Sequence, residues 1–232
     1  MAGQEIAIGT PHGTFSGYLA SPATRRGPGI VVIQEIFGVN AVMRAVADDL
    51  AAAGYFALVP DLFWRLEPGV QLSDKTDAEW QRAFSLMNRF DADSGVKDIQ
   101  AAITQLRAVN GCNGKVGVVG YCLGGMLAYL AAARTDSDAS VGYYGVNLQA
   151  LLSEAAVITK PLMLHVAGKD EYVPSEAQKQ IMDGLAGNRF VTIHHYPEMG
   201  HAFARAGGKH YDKANAELAN TRTATFFRQN LS

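Results

Sequence analysis

Lys115-Val116-Gly117-Val118-Val119-Gly120-Tyr121-Cys122-Leu123-Gly124 decides how this chain folds. A strand is predicted over residues 115–120, whose run from Val116 onward is apolar, the pattern of a strand buried on both faces. From Leu123 the period changes, and Leu127 and Leu130 fall on the inward side of a helix predicted over residues 123–134. Strand and helix are joined by so tight a turn that a Cβ on either flank would collide. Glycines therefore stand at 120 and 124, bracketing Cys122 in a Gly-x-nucleophile-x-Gly elbow with cysteine as the nucleophile. The thiol projects at the strand's end toward helix N–H groups that lack partners. That setting favours a thiolate and leaves the Leu123 N–H to serve an oxyanion. A small buried core cysteine is the competing reading. The strand before and the helix after favour the nucleophile.

The same alternation extends in both directions. Upstream lie two short strands at residues 5–9 and 14–19, turning at Pro11, His12 and Gly13, and then the buried run Gly29-Ile30-Val31-Val32-Ile33. Asn40 is placed to cap a helix that runs to Ala53 and stops at Gly54. A strand over 55–60, an irregular connection over 61–77, a helix over 78–89 and a second helix from Asp93 follow. Downstream, strands are predicted over 140–144, 162–167 and 190–196, and helices over 173–187 and 210–227. Strands alternating with helices give an α/β chain with a mostly parallel sheet covered by helices on both faces. No repeat or long linker interrupts residues 1–232, so a single domain is expected.

Ligands of such a sheet sit beyond the C-terminal ends of its strands. Glu35, Asp61, Cys122, Tyr144, Asp170 and His201 occupy those positions. Asp170 and His201 follow the nucleophile in the order acid, then base. His201 would accept the thiol proton and return it, while Asp170 fixes its tautomer. Either residue alone reads as an ordinary loop residue; their order relative to Cys122 makes the trio specific. Glu35 ends a buried strand, where a carboxylate is costly unless paired. It is either a salt-bridged structural group or a competitor for the thiol proton, with the Ile36 N–H as a second oxyanion donor.

Composition narrows the classes. With 20 basic and 22 acidic residues the net charge is −2, which gives no field to draw in nucleic acid or an anionic membrane. Two cysteines, Cys112 and Cys122, form neither a disulfide framework nor a Cys-x-x-Cys pair, and Cys112 reads as an incidental turn residue. No zinc, dinucleotide or P-loop pattern is present, so no metal and no cofactor are expected. Residues 1–10 lack a signal pattern and no apolar run suits a spanning helix, so a cytoplasmic protein is expected.

Four stretches together resemble the dienelactone hydrolase family (carboxymethylenebutenolidases). They are Gln34-Glu35-Ile36-Phe37-Gly38-Val39-Asn40, Gly120-Tyr121-Cys122-Leu123-Gly124-Gly125, Val141-Gly142-Tyr143-Tyr144-Gly145 and Gly200-His201-Ala202-Phe203-Ala204-Arg205. The resemblance runs over essentially the whole chain. It implies an α/β-hydrolase fold without a large cap, a Cys122–Asp170–His201 triad and an oxyanion hole from Ile36 and Leu123. Glu35 would rest against Arg205 until a substrate carboxylate claims the arginine and frees Glu35 to deprotonate Cys122. Arg205, Phe37 and Tyr144 would bind substrate, a small lactone or ester taken by a monomer.

The chain departs from the family pattern in one helix, which typically reads Arg-x-x-x-Tyr-x-x-Trp. Here Trp80, Phe84 and Met87 hold the matching positions. Arg82 lies two residues on, about 200° around the helix, and should face elsewhere. The three replacements either line a more apolar pocket or pack the core. The expected activity is opening of a small enol-lactone in the breakdown of catechols or chlorocatechols. A small-ester carboxylesterase with the same triad is the alternative, and a redox-sensing cysteine protein is the alternative of another class.

Overall fold

The computed structural model describes residues 3–232. Its strands are β1 (Gln4–Thr10), β2 (Gly13–Ala20), β3 (Gly27–Ile33), β4 (Phe56–Pro60), β5 (Cys112–Tyr121), β6 (Ala139–Tyr143), β7 (Leu162–Ala167) and β8 (Val191–Tyr196). Its helices are α1 (Ala41–Ala52), α2 (Asp77–Arg89), α3 (Ala92–Arg107), α4 (Leu123–Arg134), α5 (Ser175–Leu185) and α6 (Lys213–Asn230). The strands form one eight-stranded sheet in the order β1-β2-β4-β3-β5-β6-β7-β8. β1/β2 and β2/β4 pair antiparallel, while β3/β4, β6/β7 and β7/β8 pair parallel. This is an α/β-hydrolase sheet, and no separate cap domain interrupts it among the described residues. The chain divides into two compact units, Met1–Val118 and Val119–Ser232.

In the first unit, Pro11 and His12 close the β1–β2 hairpin, and Thr10 pairs with Gly13. Gly29 to Ile33 of β3 are buried throughout, as a β-branched run in a parallel strand should be. α1 begins where Asn40 Oδ1 accepts from the Met43 N–H at 3.1 Å, and Asn40 Nδ2 ties the cap to the Leu72 carbonyl. α2 opens on a reciprocal cap: Glu79 N–H donates to Thr76 Oγ1, and Thr76 O–H donates to a Glu79 carboxylate oxygen. Asp91 caps α3.

In the second unit, α4 is buried from Leu123 to Ala132, all the way round. Its alanines, leucines and glycines have no polar face to give to solvent. Its bounds match those read from the sequence. Other boundaries move for local reasons. α5 starts at Ser175 rather than Val173, because Pro174 stands at its N-cap. α6 starts at Lys213 rather than His210, because the Asp212 carboxylate caps it through the Asn215 N–H at 2.9 Å. A 3-10 segment, Leu148–Val157, was not foreseen; it is entered from Asn147 in the left-handed region. Cys112 is the first residue of β5, not part of a turn.

Candidate active site

β5 delivers Cys122 and α4 leaves it. The residue sits at φ +57°, ψ −114°, a strained conformation for a residue with a Cβ. The glycines around it make that corner possible. A Cβ on Gly120 would stand 1.9 Å from the Gly124 carbonyl oxygen, and one on Gly125 would stand 2.5 Å from the Tyr143 oxygen. The corner is pinned by Cys122 N–H donating to the Tyr143 carbonyl at 3.1 Å, and by Gly125 N–H donating to the Cys122 carbonyl at 2.9 Å. The Leu123 N–H belongs to the first turn of α4, where amides have no partner one turn back.

β7 and β8 bring the other two groups. Asp170 follows β7 and is buried; His201 follows β8 and is buried too. His201 Nδ1 lies 2.8 Å from Asp170 Oδ2. The other Asp170 oxygen accepts from the Tyr172 N–H at 2.9 Å, so the carboxylate cannot swing away. The Cys122 thiol is hydrogen-bonded to the His201 side chain. Burial opposes a charge on His201, but the Asp170 carboxylate and Cys122 outweigh it and push the imidazole up to about 10. Two phenol rings hold the imidazole edge-on: Tyr144 with centroids 5.2 Å apart and Tyr172 with centroids 4.8 Å apart. Tyr144 is buried, whereas Tyr172 is 43% exposed. Arg205 is buried, and its N–H closes a turn onto the Ala202 carbonyl at 2.9 Å.

The first unit carries the remaining candidates. Glu35, Ile36 and Phe37 follow β3 and are buried. Gln34 steadies them by accepting from the Leu62 N–H at 3.1 Å. Phe37 meets Trp80 edge to face at 4.9 Å, and Trp80 lies 5.6 Å from Phe84. The buried residues of α2 are Ala83 and Leu86. Trp80 and Met87 are only half-buried and Phe84 is exposed, so these three are not the core stripe of the helix. Arg82 points elsewhere, as its register requires, and pairs with Glu67 on the surface. Asp61 organises a loop by accepting from the Phe63 and Gly69 N–H groups. Sequence reasoning missed Tyr172; its only trace was the Asp-x-Tyr spacing that lets Asp170 fold back onto the amide two residues on.

The dienelactone hydrolase family model matches residues 15–231. The chain belongs to the dienelactone hydrolase family. A protein of Azospirillum brasilense is 52% identical over 94% of this chain and 95% of its own length. The carboxymethylenebutenolidase of Pseudomonas putida is 42% identical over 92% of this chain and 90% of its own. A crystal structure from Klebsiella pneumoniae superposes with a TM-score of 0.86 at 25% identity, covering 98% of both chains. This dienelactone hydrolase family member is therefore a hydrolase of ester or lactone bonds. Among its described residues, no group of three or more His, Cys, Asp or Glu side chains could hold a metal ion, and no helix is long and apolar enough to cross a membrane.

Chemically, a thiol hydrogen-bonded to an imidazole that a buried carboxylate orients can pass its proton to the ring and take a carbonyl carbon. The raised imidazole favours the ion pair that this transfer produces.

Proposed function

We propose that the chain opens a small enol-lactone through a Cys122–His201–Asp170 triad acting within one domain. The observation that carries this reading is the buried His201–Asp170 pair at 2.8 Å, with the Cys122 thiol on the same imidazole. Cys122 Sγ bonds to the ring carbonyl carbon as its proton passes to His201, which later returns it to the leaving enolate. The Ile36 and Leu123 N–H groups hold the oxyanion. The ring C–O bond breaks, and the enolate leaves and takes up a proton. Water then adds to the thioester, the C–S bond breaks, and the open-chain acid departs. Asp170 holds the imidazole in its reactive tautomer. Arg205 receives a substrate carboxylate, and Glu35, no longer needed as a counter-charge, competes with His201 for the thiol proton. Phe37, Tyr144, Trp80, Phe84 and Met87 contribute to substrate binding. The reaction fits the breakdown of catechols by a cytoplasmic monomer.

A carboxylesterase reading is favoured by one observation: Arg82 of α2 is spent on Glu67, and the aromatic groups of that helix are left partly open. One experiment separates the two. Turnover is compared for a dienelactone as the free acid, its methyl ester and a simple aryl acetate, with Cys122→Ala as the blank. Preference for the free acid supports the lactone reading, and preference for neutral esters supports the second. Full turnover by Cys122→Ala refutes both.

A further inference from the structure

His210 takes no part in the proton relay, yet its ring reaches the main chain of the residue that does. Its Nδ1 lies 3.1 Å from the His201 carbonyl oxygen. A carbonyl only accepts, so Nδ1 carries the proton and donates it. Glu171 offers the same nitrogen a carboxylate oxygen at 3.8 Å, too far to compete for that hydrogen bond. The ring also explains the glycine before the catalytic histidine. A Cβ on Gly200 would come within 3.2 Å of His210 Nδ1 and 3.3 Å of its Cγ.

The segment needs such a clamp. Ala202, directly after His201, sits at φ +60°. The left-handed region costs a residue with a Cβ about 1–2 kcal/mol, and it persists only where the surroundings over-determine it. Three hydrogen bonds do so here: His210 to the His201 carbonyl, Arg205 N–H to the Ala202 carbonyl and Asp212 N–H to the Phe203 carbonyl. Two of the three donors come from residues 210–212, and Asp212 is also the cap of α6. The loop that carries the base is thereby tied to the start of the longest helix.

We infer that His210 is a positioning residue for His201, acting through the His201 peptide carbonyl and the imprint of its ring on Gly200. The inference rests on the reading of His201 as the base. A base displaced by a fraction of an ångström lowers the rate of the proton transfer while leaving substrate binding alone.

His210→Phe keeps a ring against Gly200 and removes the donor. His210→Asn keeps an amide N–H near the position of Nδ1. His210→Phe is expected to lower kcat about 10-fold with KM unchanged, by comparison with the ~100-fold cost of a 1 Å misplacement. His210→Asn is expected to recover most of that loss. His210→Ala, which lacks both ring and donor, serves if the Phe variant does not fold. The rate of Cys122 alkylation by iodoacetamide against pH should shift its midpoint in the donor-less variants and not in His210→Asn. Wild-type kcat in His210→Phe, or an Asn variant as slow as the Phe variant, overturns the inference. His201→Ala separates the two readings. If it is inactive while His210→Phe is unimpaired, only the role of His210 falls; if His201→Ala keeps its turnover, the base itself was misassigned and both fall.

Discussion

Asp170→Asn tests the site at the point where one atom decides the outcome. The carboxylate accepts two hydrogen bonds, from His201 Nδ1 at 2.8 Å and from the Tyr172 N–H at 2.9 Å. An amide has one oxygen to offer both. If that oxygen faces Tyr172, the NH2 group faces Nδ1 and the imidazole must carry its proton on the nitrogen that should receive the thiol proton. If it faces His201, two buried donors meet at Tyr172. The magnitude follows from the imidazole. Burial opposes a charge on the ring, but the Asp170 carboxylate and Cys122 hold it above its ordinary 6.5, up to about 10. A hydrogen bond between an ionised carboxylate and this imidazole is worth about 2–3 kcal/mol, and the amide forfeits it. In rate this is a fall in kcat of about 30- to 150-fold, with KM little changed. Steady-state kinetics on the best ester or lactone substrate read it directly, and circular dichroism checks that the variant folds. A folded Asp170→Asn enzyme with kcat within about twofold of wild type, below 0.5 kcal/mol, would refute the reasoning.

Gly120→Ala places its Cβ 1.9 Å from a backbone oxygen that cannot step aside, and should lower stability by about 3 kcal/mol or more in urea denaturation. Leu127→Ala empties a fully buried site on α4 and should cost about 2–5 kcal/mol in the same assay, leaving the slope of the transition unchanged. His165 is buried between Tyr196 and Thr223, and burial, then His194 and Arg222, push it well below 6.5. The unfolded chain therefore binds the proton first, and stability should fall as pH drops below about 6.5; thermal melts from pH 7 to 5 should show a flatter decline in His165→Gln.

What the sequence disclosed depended on whether a structural decision is local. The elbow at Cys122 is local: two glycines, a buried strand and an apolar helix leave one solution, and α4 lies where it was read. The order Cys122, Asp170, His201 was legible because a parallel sheet places successive strand ends on one edge. The rotation of Arg82 away from Trp80 followed from helix geometry alone, and its pairing with Glu67 agrees. Long-range decisions were hidden. His210 reads as the start of a helix, but its ring is taken by the His201 carbonyl, so the helix waits for the cap at Asp212. Tyr172 reads as a loop aromatic, and only the fold shows its ring against the His201 imidazole. Trp80 and Phe84 fit an apolar stripe by spacing, yet Ala83 and Leu86 are the residues that α2 buries. The tight 3-10 segment at Leu148–Val157 has no capping side chain to announce it.

The strands that carry the trio come in the order β5, β7, β8, and β8 lies at the edge of the sheet. On the roles proposed for them, this schedules the chemistry during synthesis. At about 5–20 residues per second a ribosome adds His201 about 4–16 s after Cys122. For that interval the nascent chain carries the thiol without its base, although Asp170 is added about 2–10 s after Cys122. On those roles the nucleophile is armed only once the chain has been made through β8 and the loop that follows it.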